Sequence, residues 1–358
     1  MRSPVTRLVL AALAPVVFAF CCAASYLAAF HDPAPHHLPV GVVAAPAVEH
    51  DIGGALAARA PGAFVLERYP SARAAQAAIM DRHVDGAVVI GAHRARLLVA
   101  TVIGSAPTDA VSQALVPLIG ATGYAPVTVV DLAPLPAGNR DGLGVFFLVL
   151  SVLLPSLLAG VLTTFVSRSC RALGQLGALA GFALLTGAVA AATADGLTGT
   201  LTGHYLATSG ILALLCMAMA APTAAMARFA PHGAALAALA FVVLGIPATG
   251  GPAGLQGFVP AFFRVLEPAL PPSVAVPALT SVSYLGSHAL AQPLLVLGAW
   301  AVAGSVVLSA VTRRRAPNGG TGHSRAAFVL KPVTAEVQDT GPSHQPAGGS
   351  ARRRSVPR

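Results

Sequence analysis

Charge is what this chain has least of. Only 10% of its 358 residues are charged, and lysine occurs once, at Lys331. Soluble domains carry roughly 25% charged residues, so a chain that faces water along its whole length is excluded. Cysteine is also scarce. Cys21, Cys22, Cys170 and Cys216 all lie within or beside apolar runs and form no Cys-x-x-Cys pair, which argues against a disulfide framework and a zinc or redox centre. No G-x-x-x-x-G-K-[ST] loop occurs. A phosphate cradle of that type needs both its glycines and its lysine, so if ATP drives movement by this protein, a separate subunit must bind the nucleotide. The net charge of +9 does not indicate a nucleic-acid partner. The arginines stand at the ends of apolar runs and in the C-terminal tail, without a basic face interleaved with aromatics. What the chain has instead is apolar mass, with 55% hydrophobic residues and a mean hydropathy of +0.74. It is read as an integral membrane protein.

A helix needs about 20 apolar residues to cross the ~30 Å hydrocarbon core. Six stretches qualify or nearly so: Leu8–Phe30, Leu143–Val166, Ala172–Ala194, Tyr205–Ala227, Gly233–Pro247 and Ala289–Thr312. The fifth is short. The first is longer than the roughly 7–15 residues of a cleavable signal sequence, so a retained anchor is expected. Arginines set the orientation through the positive-inside rule. Arg2 and Arg7 precede the first span, Arg168 and Arg171 separate the second and third, and Arg228 separates the fourth and fifth. Arg313, Arg314 and Arg315 follow the sixth. With six spans all of these fall on one side, so both termini are expected in the cytoplasm of a multi-pass plasma-membrane protein. Residues 31–142 and 248–288 are then outside.

Residues 31–142 read as an α/β insert. The runs "LPVGVVAA", "AFVLERY", "DGAVVIG", "RLLVATVIG" and "VTVVDLAP" have strand character. Ser71 is expected to cap a helix over "SARAAQAAIMDRH", and Pro107 falls in the first turn of another. The fold expected is mainly α: a six-span helical membrane bundle with an α/β extracytoplasmic domain inserted between the first and second spans. A tail from 313 to 358, rich in Gly, Pro, Ser and Arg, is expected to be disordered. His31, Asp32, His36 and His37 form a metal-capable cluster just after the first span, although a Pro-stiffened linker is the simpler reading.

The six stretches contain no Asp, Glu, Lys, Arg or His. Ion-driven carriers normally place ionisable groups or broken helices near the midplane, and intramembrane hydrolysis needs a nucleophile with its base or a metal. None is visible, so no enzymatic activity and no cofactor are expected. "GALAG" (Gly177–Gly181) offers a GxxxG face for close helix approach, and Pro155 is expected to bend the second span.

Three stretches carry a family resemblance: "PHHLPVGVVAAP" (Pro35–Pro46), "DLAPLPAGNRDGLGVFF" (Asp131–Phe147) and Gly245–Trp300 with its "FVPAFFRVLEPALPP". Together with the order of one span, external insert and five spans, they resemble the ABC type 2 exporter permeases, most closely the YhgE/Pip group. The acidic position of that group's "G-D-x-x-G" stretch is Asn139 here, with Asp141 displaced beside Gly142. The resemblance implies a permease-like subunit, homodimeric or heterodimeric, that moves a hydrophobic or amphipathic substrate while a separate ABC ATPase supplies the energy. It also implies an external gate or interfacial helix at Phe258, Pro260, Phe262, Phe263, Arg264 and Glu267. Arg264 and Glu267, three residues apart, are expected to pair on its rim, and Pro268, Pro271 and Pro272 to end it. The ATPase would dock at the turn carrying Arg168 and Arg171. A membrane-anchored surface receptor, whose external domain binds a partner without transport, is the other reading of the same features.

Overall fold

The computed structural model describes residues 4–91, 94–121, 123–124, 126–166, 172–201, 203–230 and 232–315. The chain is mainly helical with one small sheet. Among the described residues, five helices are long and apolar enough to cross a bilayer: Leu13–Phe30, Gly144–Val166, Ala172–Leu197, Tyr205–Phe229 and Ala291–Arg314.

The first helix, α1 (Pro4–Phe30), leads into the α/β region. There β1 (Leu38–Val43), α2 (Pro46–Arg59), β2 (Phe64–Arg68), α3 (Ala72–Met80), β3 (Gly86–Ile90), β4 (Ala95–Val99), α4 (Ser105–Ala121) and β5 (Val127–Asp131) follow in order. The five strands align in the order β2-β1-β3-β4-β5. All pairings are parallel except β3 with β4. Four of the five strand-like runs of the sequence contain one of these strands, and "RLLVATVIG" covers all of β4 but its first residue, Ala95. Ser71 caps α3, its hydroxyl accepting from Ala74 N.

Alternation along the strands feeds two cores. Val40, Val88, Leu97 and Val99 pack beneath α2 and α4, around Ile52, Val111 and Leu115. On the opposite face Ala87 and Leu98 pack against Ala75 and Ile79 of α3, and there Leu285, from far along the chain, completes the layer. The helix α2 was not anticipated, since Gly53 and Gly54 at its centre depress helix propensity. It forms because Pro46 occupies the first turn, where its missing N–H costs nothing, and because Ile52 and Leu56 are buried against the sheet.

The remaining helices are α5 (Gly144–Val166), α6 (Ala172–Ala192), α7 (Tyr205–Phe229), α8 (Gly233–Ala248), α9 (Ala261–Leu266), α10 (Pro271–Tyr284) and α11 (Ala291–Arg315). The hub is α7, with 72% of its most apolar window buried. In lipid there is no hydrophobic drive between helices, so close backbone approach does the packing. Each of three neighbours presents a glycine to α7. A Cβ on Gly160 of α5 would sit 2.6 Å from Ala220 O, one on Gly187 of α6 would sit 2.5 Å from Ser209 O, and one on Gly304 of α11 would sit 2.5 Å from Pro222 N. The GxxxG face at Gly177–Gly181 is not among these contacts, and nothing lies within 4 Å of where either Cβ would be.

At about 24 Å, α8 is short for a crossing, and a π-helical turn interrupts it at Leu239–Leu244. There the carbonyls of Val243 and Val242 accept hydrogen bonds from Ser25 Oγ at 2.6 Å and Tyr26 OH at 3.0 Å. These two bonds fasten α1, of which only 6% of the apolar window is buried.

A glycine-rich bracket, residues 249–257, seats the α/β region on one end of the bundle. Ala253 O accepts from Ala106 N at 3.1 Å and Gly257 O from His36 N at 2.9 Å. Gly254 has φ +70, and a Cβ there would stand 2.7 Å from Gly104 Cα, so both conformation and space call for glycine.

Candidate functional site

Above the bracket, two segments far apart in sequence face each other. One is the turn between α3 and β3, "DRHVD", with four ionisable groups in five residues. Asp81 closes α3, Arg82 turns the chain at φ +60, and Asp85 N donates to Pro39 O at 2.9 Å. The other runs from α9 to the start of α11. Here Pro260 stands at the N-cap of α9, a 3-10 turn covers Glu267–Ala269, and α10 follows. Trp300 of α11 pins the turn, its indole N–H donating to Ala269 O at 2.8 Å.

Between them lies a cavity of about 740 Å³. Arg264, His36 and His37 line it together with Arg82, Asp85 and Glu267. Arg264 donates from Nη1 to His36 O at 3.2 Å, while its Nε is buried without a hydrogen-bond partner. Beside the cavity, His288 Nδ1 and Asp81 Oδ1 pair at 2.7 Å, linking residues that are 207 positions apart.

Burial disturbs the acid–base chemistry here. Desolvation raises Glu267 to about 7, against the lowering field of Arg82 and with a further rise from Asp85. Desolvation likewise raises Asp85 to about 6, opposed by Arg82. Arg82 is pulled below the usual guanidinium value by burial, and both carboxylates oppose that fall. The three side chains share a field, yet none stands within ion-pairing distance of another described charge. All three line the cavity.

The residues expected at an external gate divide. Phe258 and Phe263 are buried, and Phe263 packs with Val259, Ala29 and Phe30, tying α9 to the end of α1. Phe262 is not on that face. It is 59% exposed and Val265 75% exposed, with Phe262 edge-on to Phe263 at 5.3 Å between ring centroids. The expected Arg264–Glu267 pair does not form: Arg264 bonds across to the His36 carbonyl, and Glu267 lies in the field of Arg82. Nor do the later prolines all end a helix. Pro268 lies in the 3-10 turn, whereas Pro271 and Pro272 open α10, as suits a residue without an N–H at a helix start. Arg168 and Arg171 lie outside the described residues.

Sequence reasoning missed Arg82, Asp85 and the Asp81–His288 pair. The signal was the density of "DRHVD" in a chain this poor in charge. Asn139, the departure from the family pattern, is buried and accepts from Gly144 N at 2.8 Å at the start of α5. Its amide also reaches Tyr284 OH at 3.4 Å, and that hydroxyl donates to Thr200 O. Among the described residues no three His, Cys, Asp or Glu side chains converge as metal ligands. His31 turns back onto its own helix, with Nδ1 2.8 Å from Leu27 O.

No family model matches the chain, and no curated protein or solved structure matches it. The likeness to ABC type 2 permeases therefore stands on the three sequence stretches alone.

Proposed function

We propose that the chain is a permease-like membrane subunit, of the ABC type 2 exporter kind, that moves an amphipathic substrate using ATP hydrolysed by a separate partner. The observation that carries this reading is the cavity of about 740 Å³ built jointly by the α/β region and the α9–α10 segment, at one end of helices whose apolar stretches hold no Asp, Glu, Lys, Arg or His. Such helices have nothing with which to couple to a proton or sodium gradient, so the energy enters from outside the chain. A six-span arrangement with the α/β region outside the cell fits the arginines. Arg228, Arg313 and Arg314 sit at the helix ends away from that region, where the positive-inside rule puts the cytoplasm. In this reading the cavity is an outer vestibule, and α9 and α10 form its movable wall.

The test is purification from native membranes followed by reconstitution. The proposal expects an ATP-binding-cassette subunit to copurify and its ATPase rate to rise severalfold with the reconstituted chain. Absence of both results contradicts it.

A second reading, an anchored receptor, draws on the double core of the α/β region and its β2 edge, where Val65 is exposed. Deleting residues 45–130 separates the two. A receptor loses all activity, whereas a translocating subunit keeps its association with the ATPase.

A further inference from the structure

We propose that this junction cavity binds a zwitterionic headgroup, a primary amine and a phosphate carried together on one small amphiphile. Its volume, about 740 Å³, falls in the roughly 300–1,000 Å³ range of ligand pockets. Both signs of charge line it. Arg264 spends Nη1 on the His36 carbonyl and leaves a buried Nε without a partner. A guanidinium fork matches a phosphate oxygen, and His36 and His37 line the same cavity. Asp85 and Glu267, which also line it, outnumber Arg82 by one formal charge and make no direct ion pair with it. An ammonium there would supply the donors these carboxylates lack. A headgroup with only negative charge would leave them facing it without compensation.

The wall next to Arg264 is suited to acyl chains. Phe262 and Val265 of α9 project outward, 59% and 75% exposed. Trp300, which holds the adjoining turn, is the residue type that favours the membrane–water interface. A ligand seated here would keep its head among the charges and lay its tails along α9.

The proposal deepens the transport reading and rests on it only for the physiological direction of the ligand. Binding is measured without any ATPase, so either claim can fail while the other stands. The full-length chain in a neutral maltoside detergent at pH 8, where Glu267 is largely ionised, is titrated with four probes. These are phosphatidylethanolamine, phosphatidylcholine, phosphatidylglycerol and water-soluble O-phosphoethanolamine, read by native mass spectrometry and by the shift in thermal unfolding midpoint.

Phosphatidylethanolamine is expected to bind about tenfold more tightly than the other two lipids, which lack either the N–H donors or the amine. Arg264→Gln and Glu267→Gln should each weaken it by about tenfold, with Glu267→Gln leaving phosphatidylglycerol unchanged. Arg264→Lys, which keeps the charge, serves if Arg264→Gln does not fold. Competition by O-phosphoethanolamine supports the proposal and shows that the headgroup suffices. Binding of the intact lipid alone also supports it and shows that the chains contribute. Equal affinity for the three lipids, or unchanged affinity in both Gln variants when they are folded, overturns it.

Discussion

Glu267 and Asp85 are carboxyl groups whose burial raises them to about 7 and about 6, in each case mainly by desolvation. The folded protein therefore binds more protons than the unfolded chain between about pH 4.5 and 7. Linkage then makes their contribution to stability largest below the unfolded value and lost as pH rises through the folded one. The unfolding midpoint in detergent should fall as pH is raised from 5 to 8, and Glu267→Gln should remove a substantial part of that slope. His36, His37 and His83 also line the cavity, so the difference between wild type and variant isolates Glu267. An unchanged slope would show that its side chain is hydrated like a surface group. At the same scale, Asn139→Ala removes the acceptor for Gly144 N and the amide beside Tyr284. Leaving those groups unsatisfied should cost about 1–3 kcal/mol, seen as a lower unfolding midpoint.

At the scale of elements, packing in the bundle depends on where glycine meets α7. Gly187→Leu places a side chain against a backbone oxygen 2.5 Å from the Cβ position and should cost about 1–3 kcal/mol or more through overpacking. Gly177→Leu, with nothing within 4 Å, should stay within about 0.5 kcal/mol. Thermal unfolding of the two variants side by side checks the contrast, and equal losses would place Gly177 at an interface as well. The same comparison marks what the sequence could disclose. Long apolar runs and strand-like alternation are local, so five spanning-length helices and five strands were legible, as was the Ser71 cap. GxxxG spacing is local too, but which glycine meets a neighbour depends on helix rotation, so the spacing at Gly177–Gly181 did not point to Gly160, Gly187 and Gly304. Pro271 and Pro272 were read as stops because a proline breaks a helix it interrupts equally as it opens one it begins. The cavity was the least legible feature. Arg264 and Glu267 were marked, but their actual surroundings come from residues such as Arg82, nearly two hundred positions away, and no sequence period links them.

At the scale of the whole molecule, chemistry is divided by depth. The spanning helices are held by close glycine contacts and side-chain hydroxyls returned to their own backbones, as with Ser156 to Val152 O and Thr223 to Met219 O. The ionisable groups gather where the α/β region meets α9, α10 and the start of α11. This junction is a single electrostatic unit made from both parts. A double-mutant cycle between Arg82→Gln and Glu267→Gln, read as unfolding midpoints at pH 8, is its sharpest check. The two single shifts should not add, with a coupling of about 0.5–3 kcal/mol between the sites. Strict additivity would mean that the two side chains do not sense each other, and that they do not share one cavity.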